Sequence, residues 1–329
     1  MYPRGVAMPR ALKILLSLAL LIAVMTGAFL GSLYLGYPRV GPAEDLKIVA
    51  SDAQVERGRY LATTVCACLD CHGERDYGQF SGPVVPGTEG QGGARYGAEA
   101  GVAGELFAPN ITPAALSGWS DGELARAIVS GVSRDGAALH PIMPYGAYAE
   151  LCQEDLEAIV AFLRTLPAID HEVPARTLEF PMNLIVRTLP EEKQRPLCPE
   201  PDDPIAVGEY LAKIGGCDAC HTPRARGEPL SGYEWAGGVL FAMPGGAAIS
   251  QNLTPDPITG LSRSRDAFLA RFEARRQPIP VAPGEPNTVM PWTRHAAMTR
   301  EDLTAIYEFL QTVRPVQHAV DAWTDAPPS

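Results

Sequence analysis

Two pentapeptides in this 329-residue chain carry the chemistry: Cys68-Leu69-Asp70-Cys71-His72 and Cys217-Asp218-Ala219-Cys220-His221. Each reads C-x-x-C-H, the attachment pattern of a c-type haem. Two cysteines three residues apart lie on one side of a helical turn, where their sulfurs can add to the two vinyl groups of one haem. The histidine that follows faces the iron and supplies its proximal nitrogen. A redox dithiol or half a zinc site is the plainer reading of a lone C-x-x-C. Two copies, each followed at once by His, weigh against it. The expected cofactors are two covalently bound haem c groups, on Cys68 and Cys71 with His72, and on Cys217 and Cys220 with His221.

The neighbourhoods repeat, which marks a duplication. Gly58-Arg59-Tyr60-Leu61 leads into the first pentapeptide and Gly208-Glu209-Tyr210-Leu211 into the second. Asn110-Ile111-Thr112-Pro113 answers to Asn252-Leu253-Thr254-Pro255, and Met143-Pro144-Tyr145 to Met290-Pro291-Trp292. Each copy closes on a helix-period run: Leu156, Ile159, Phe162, Leu163, then Leu303, Ile306, Phe309, Leu310. The offset stays between 142 and 150 residues throughout.

Each iron needs a sixth ligand. Met143 lies 71 residues after His72, and Met290 lies 69 after His221. A thioether favours ferrous iron, so Met/His ligation raises the reduction potential. For a Met taken alone, core filling is the commoner role. The matched positions favour Met143 and Met290 as distal ligands, with Met298 a spare candidate and Met182 and Met243 assigned to packing. His140 and His295 sit near the methionines at unmatched positions and read as surface or supporting residues. His171 and His318, after the closing helices, read as exposed.

Cys66, Cys152 and Cys198 are left over. An oxidising compartment favours one disulfide among them. Cys66 ends the first helix and Cys152 opens the last helix of the same domain, so that pair is favoured. A thiolate in place of Met143 is an alternative distal ligand.

Residues 14–35 form an uncharged apolar run behind Arg4, Arg10 and Lys13. It is long enough to cross a bilayer, and the basic flank keeps the amino terminus in the cytoplasm. A signal peptide cleaved near Thr26-Gly27-Ala28 is the competing reading, but the run exceeds the about 7–15 residues of a signal core. Either way the haem domains are exported. The divisions expected are a cytoplasmic start (1–13), an anchor (14–36), a tether (37–50), a first domain (51–169), a proline-dense linker (170–203), a second domain (204–314) and a loose polar tail (315–329). The linker should be stiff, with Phe180, Met182, Leu184, Ile185 and Val186 packed on a domain surface. The net charge of −11 argues against nucleic acid as a partner. It favours a partner with a basic docking patch, although a solvated acidic surface is the commoner explanation.

Residues 110–167 resemble a domain of the membrane-anchored dihaem and trihaem cytochrome c proteins, which include the cytochrome subunits of bacterial membrane-bound alcohol, aldehyde and gluconate dehydrogenases. The resemblance rests on Asn110-Ile111-Thr112-Pro113, Gly118-Trp119-Ser120-Asp121, Arg134-Asp135-Gly136, Leu139-His140-Pro141-Ile142-Met143-Pro144-Tyr145 and Asp155-Leu156. The second domain departs from it: Ser264-Arg265-Asp266 stands for Trp119-Ser120-Asp121, and residues 275–288, with four prolines, have no counterpart of Arg134-Asp135-Gly136. The resemblance implies a mainly α fold of two tandem cytochrome c-like domains with long loops, plus one N-terminal transmembrane helix. It implies Met/His ligation and electron delivery at the periplasmic face of a bacterial inner membrane, with a dehydrogenase subunit or an oxidase as redox partner. The alternative is a dihaem enzyme of the peroxidase or thiosulfate dehydrogenase kind, which needs an open iron that two Met-Pro-aromatic loops would deny. A haem-based sensor would need an output domain, and none is read in the sequence.

Overall fold

The structure, a computed structural model, describes residues 9–225, 227–261 and 264–325. Arg4 and residues 326–329 lie outside the described residues. Among the described residues seven helices of nine residues or more carry a mainly helical fold, α1 (Arg10–Gly36), α2 (Asp52–Tyr60), α3 (Asp121–Ser130), α4 (Gln153–Thr165), α5 (Pro204–Ile214), α6 (Arg265–Glu273) and α7 (Arg300–Leu310).

Helix α1 contains the whole of the expected anchor segment, residues 14–36. It runs 27 residues with a mean hydropathy of 2.4 over its most apolar window and buries no residue against the rest of the chain. At about 1.5 Å per residue it exceeds the roughly 30 Å of a bilayer core. At its end, Arg187 of the linker donates to the carbonyls of Tyr34 (2.7 Å) and Tyr37 (3.1 Å).

The two copies build the same scaffold from different caps. Ser51 and Gln54 close a capping box at the start of α2, while Asp203 accepts from the Ile205 and Ala206 amides at the start of α5, with Pro204 in the first turn. Each of these helices packs against the closing helix of its own half, α2 on α4 and α5 on α7. Glycine makes the approach close enough. A Cβ on Gly58 would lie 1.8 Å from the Ala158 carbonyl oxygen, and one on Gly208 would lie 2.0 Å from that of Ala305. Asn110 and Asn252 then tie down the chain beyond each closing helix. The Asn110 amide donates to Ile169 O and its oxygen accepts from Thr112 N–H, both at 2.8 Å. Asn252 repeats this with Val316 O at 2.8 Å and Thr254 N–H at 2.9 Å.

The halves abut directly. Leu61, Val65, Ile159 and Phe162 of the first half share one apolar cluster with Leu211, Ile214, Ile306 and Phe309 of the second. Tyr60 donates its hydroxyl to Asp302 of the second half, and Tyr210 returns a hydrogen bond to Asp155 of the first at 2.7 Å. Tyr60 and Tyr210 are matched positions, as are Asp155 and Asp302, so the exchange is isologous. The linker is therefore a strap over a joint that the two halves make by themselves. Its Leu184 and Val186 are buried, in line with the packing expected of them, whereas Phe180 is 76% exposed.

Three expectations need correction. The disulfide joins Cys152 to Cys198, with Cα atoms 5.0 Å apart, and leaves Cys66 as a buried free thiol. The returning linker carries Cys198 across the start of α4, a crossing that local helix order does not reveal. The segment after α7 is not a loose tail: Trp323–Thr324 pairs with the strand Gly246–Ile249, which itself pairs antiparallel with Leu240–Met243. In the first half Thr177–Leu178 pairs likewise with Gly104–Phe107. Of the two histidines expected to be exposed, His171 is exposed, whereas His318 is half-buried; their Nδ1 atoms bond the Gln91 and Ala236 carbonyls, both at 3.0 Å.

Candidate haem sites

In each half a left-handed residue swings the chain from the first helix into a short helical turn that bears the pentapeptide. Ala67 (φ 49°) precedes Cys68–Cys71, and Gly216 (φ 70°) precedes Cys217–His221. The four cysteines of the two motifs are unbridged and partly covered, and both histidines are buried.

The two histidines are held alike. His72 Nδ1 lies 2.7 Å from the Pro109 carbonyl, and His221 Nδ1 lies 2.7 Å from that of Gln251. A carbonyl oxygen only accepts, so Nδ1 carries the proton and Nε2 presents its lone pair. This is the arrangement that fixes the tautomer and ring orientation of a metal-binding histidine. Burial also lowers both imidazole pKa values and keeps the rings neutral. The thiols argue against a redox dithiol, which works through a depressed thiol pKa. Burial instead pushes Cys68 and Cys217 up to about 12 and Cys220 up to about 11. Protonated, unbridged thiols next to an oriented neutral imidazole fit a covalently held haem.

The Met-Pro-aromatic triplets take one shape. Pro144 (φ −80°, ψ 52°) and Pro291 (φ −78°, ψ 59°) are central residues of inverse γ-turns. The turns close when Tyr145 N–H donates to Met143 O at 2.7 Å and Trp292 N–H donates to Met290 O at 2.8 Å. Proline suits the central position because its ring fixes φ near the required value. Met143 and Met290 are both half-buried and pack against the shared apolar cluster, as Cys68 and Cys217 do. Met298 is 3% exposed, a core residue.

Several residues near the sites escaped the sequence reading. His295 is buried, and its Nδ1 lies 3.1 Å from the Thr64 carbonyl of the other half, so it is no surface residue. Asp70, inside the first pentapeptide, is 4% exposed and accepts from Arg294 Nε of the second half at 2.8 Å. His140 Nδ1 accepts the Ile142 N–H at 3.2 Å and shapes the Met143 loop. The loop that follows the first pentapeptide reaches across to the second half through Gly78, Phe80 and Ser81. The signal for this was present. Residues 275–288, where the second copy loses its likeness to the first, are the segment it meets.

No family model matches the chain. The chain is similar to cytochrome c subunits of dehydrogenase complexes. It is 28% identical over 295 residues to the alcohol dehydrogenase (quinone) cytochrome c subunit of Komagataeibacter europaeus, covering 84% of this chain and 60% of that protein. It is 28% identical over 284 residues to the gluconate 2-dehydrogenase cytochrome c subunit of Pantoea cypripedii, covering 80% of this chain and 60% of that one. It is 29% identical over 202 residues to a diheme cytochrome c-type protein of Cereibacter sphaeroides, covering 57% of this chain and 63% of that one. The chain thus spans about 60% of the length of the curated dehydrogenase subunits it matches.

Proposed function

We propose that this chain is a dihaem c-type cytochrome that passes electrons from a dehydrogenase-type donor to a respiratory acceptor, without substrate chemistry of its own. The observation that carries the reading is the twofold occurrence of one geometry. In each half an unbridged C-x-x-C turn stands beside a buried histidine whose Nδ1 is locked on a backbone carbonyl, leaving Nε2 for iron. When bound, each haem supplies a one-electron iron couple. The chain's own residues do the rest. Cys68, Cys71, Cys217 and Cys220 would hold the two macrocycles covalently, and His72 with Met143 and His221 with Met290 would ligate the two irons.

Closed distal positions suit a carrier, because ligands that stay in place keep the rearrangement between oxidation states small. Direct packing of the halves favours transfer between the two sites within one rigid body. Residues 14–36 place the assembly at the bacterial inner membrane with both haem domains on the periplasmic side, and Arg187 ties the linker to the end of that anchor. Domains of residues 51–169 and 204–314 hold one haem each.

The test is made on the purified full-length chain. Two haems per chain are expected, and Cys68→Ala/Cys71→Ala or Cys217→Ala/Cys220→Ala should each leave one. Met143→Leu and Met290→Leu should each remove the methionine–iron charge-transfer absorption of one haem. Rapid turnover of peroxide or thiosulfate, or stoichiometric carbon monoxide binding at neutral pH, would overturn the carrier reading in favour of a dihaem enzyme.

A further inference from the structure

The distal loop of the second site is clasped by the first half. Ser81 is fully buried and holds a left-handed backbone at φ 69°, although it is not glycine. Its N–H donates to Asn287 Oδ1 at 2.8 Å. Its hydroxyl donates to the Met290 carbonyl and accepts the Trp292 N–H at 2.9 Å. Those two groups are the ends of the inverse γ-turn around Pro291. One hydroxyl therefore grips the turn at both ends. Asn287 Nδ2 donates in return to the Tyr77 and Gln79 carbonyls, both at 3.1 Å. Main-chain bonds extend the seam, from Phe80 N–H to Ile279 O at 2.7 Å and from Val281 N–H to Gly78 O at 2.9 Å.

A non-glycine residue in the left-handed region is uncommon, and it persists where its surroundings over-determine it. Here they do: backbone amide and hydroxyl both engage the other half. We infer that Ser81, with Asn287, is a positioning residue through which the first half holds Met290 at the second site. Distal ligation of the second haem is then a property of the joined halves. The inference rests on Met290 being a distal ligand. It adds that the methionine's hold on iron is set from outside its own half, whereas the Met143 loop is shaped by His140 and Gly131 of its own half.

The experiment uses the full-length holoprotein with Met290→Leu, Ser81→Gly and Asn287→Ala variants. Glycine takes the left-handed backbone without strain, so Ser81→Gly removes the hydroxyl and spares the turn. Haem content of two per chain checks that each variant folds. The readouts are the methionine–iron charge-transfer absorption and carbon monoxide binding by the ferrous protein. Ser81→Gly and Asn287→Ala should each raise the population with Met290 off iron by about tenfold, the scale of a lost buried hydrogen bond or two. That rise should appear as faster carbon monoxide binding at one haem, with the Met143 haem unchanged as internal control. Combined with Met290→Leu, Ser81→Gly should add nothing further. If Met290→Leu leaves both absorptions intact, the ligand reading falls and the inference with it. If Met290→Leu removes one absorption while Ser81→Gly and Asn287→Ala bind carbon monoxide as the parent does, the inference alone is overturned.

Discussion

The first residue before each closing helix shows how the two halves diverged while keeping one backbone. Thr299 caps α7 in the ordinary way, its hydroxyl accepting the Asp302 N–H at 3.1 Å. The matched residue before α4 is Cys152, which makes no side-chain cap and instead carries the disulfide to Cys198. The same place in the fold is a local hydrogen bond in one half and a long-range covalent strap in the other. A duplicated scaffold tolerates this because the helix itself is secured by packing, through the Gly58 and Gly208 approaches. The cap position is then free to serve the half's neighbours. The first half uses it to fasten the linker that leads to the second.

That difference can be broken by mutation, and the largest effect should come from the strap. Closing a loop with a sequence separation of 46 residues is worth about 4 kcal/mol in the chain-entropy model. Cys198→Ser should therefore lower stability by roughly that amount under oxidising conditions, measured by urea unfolding with absorbance of the haems as probe. Reductant should bring the parent protein down to the variant. Thr299→Ala should cost about 1 kcal/mol with or without reductant. A Cys66→Ser variant that also lost its response to reductant would overturn the pairing.

The next effect should be equal in the two halves. A methyl group at Gly58 or Gly208 would fall within about 2 Å of a backbone carbonyl oxygen, and neither helix can give way without opening its contact. Gly58→Ala and Gly208→Ala should each cost about 3 kcal/mol, at the upper end for overpacking. Gly146→Ala is the control, since nothing lies within 4 Å of its Cβ position. Thermal midpoints of the three variants decide the matter. A marked inequality between Gly58→Ala and Gly208→Ala would show that the helix pairs are not equivalent.

Much of this was legible in the sequence. The pentapeptides, the paired Asn-x-Thr-Pro turns and the Met-Pro-aromatic triplets are local patterns, and each has a local physical cause: a carbonyl-locked histidine, an asparagine clamp, an inverse γ-turn. The two closing helices followed from the apolar periodicity of Leu156, Ile159, Phe162 and Leu163 and of Leu303, Ile306, Phe309 and Leu310. What stayed hidden depends on contacts between residues distant in sequence, 46 positions apart for Cys152 and Cys198 and 209 for Ser81 and Met290. Nothing in the local pattern of Ser81 announces a partner at Met290, and the Cys152–Cys198 bond requires knowing where the linker returns. Of the two roles open to His295, surface or supporting, the choice was hidden for the same reason, because its partner is the Thr64 carbonyl of the other half. Loss of likeness between the copies at residues 275–288 was the one sequence sign of a joint, and it reads as divergence until the fold shows what that segment touches.

The smallest expected effect concerns the reciprocal tyrosines, and it separates two contacts that look alike. Tyr210 donates to Asp155, which also receives both arms of Arg57 at 2.9 and 2.8 Å. Tyr60 donates to Asp302 and in addition accepts the Thr299 N–H at 3.2 Å. Tyr210→Phe leaves Asp155 satisfied by Arg57 and should cost under about 1 kcal/mol, whereas Tyr60→Phe takes from Asp302 a side-chain donor that no arginine replaces and should cost about 1–2 kcal/mol. Alkaline pH sharpens the contrast. Burial, and then the neighbouring carboxylate, raises the phenol pKa of Tyr60 beside Asp302 and of Tyr210 beside Asp155. Below the ordinary tyrosine value of about 10 both folded and unfolded chains keep these protons, and the stabilisation is complete. Above it the unfolded chain ionises first, so stability falls as pH rises toward the higher folded values. Each Phe variant lacks one such proton and should lose stability less steeply than the parent between pH about 9.5 and 11. Urea midpoints across that range, taken as parent minus variant, should shrink with pH for both variants from a larger starting gap for Tyr60→Phe. A gap that widens with pH would mean that folding lowers the phenol pKa instead of raising it, and a larger neutral-pH cost for Tyr210→Phe would mean the two sides of the joint are weighted the other way round.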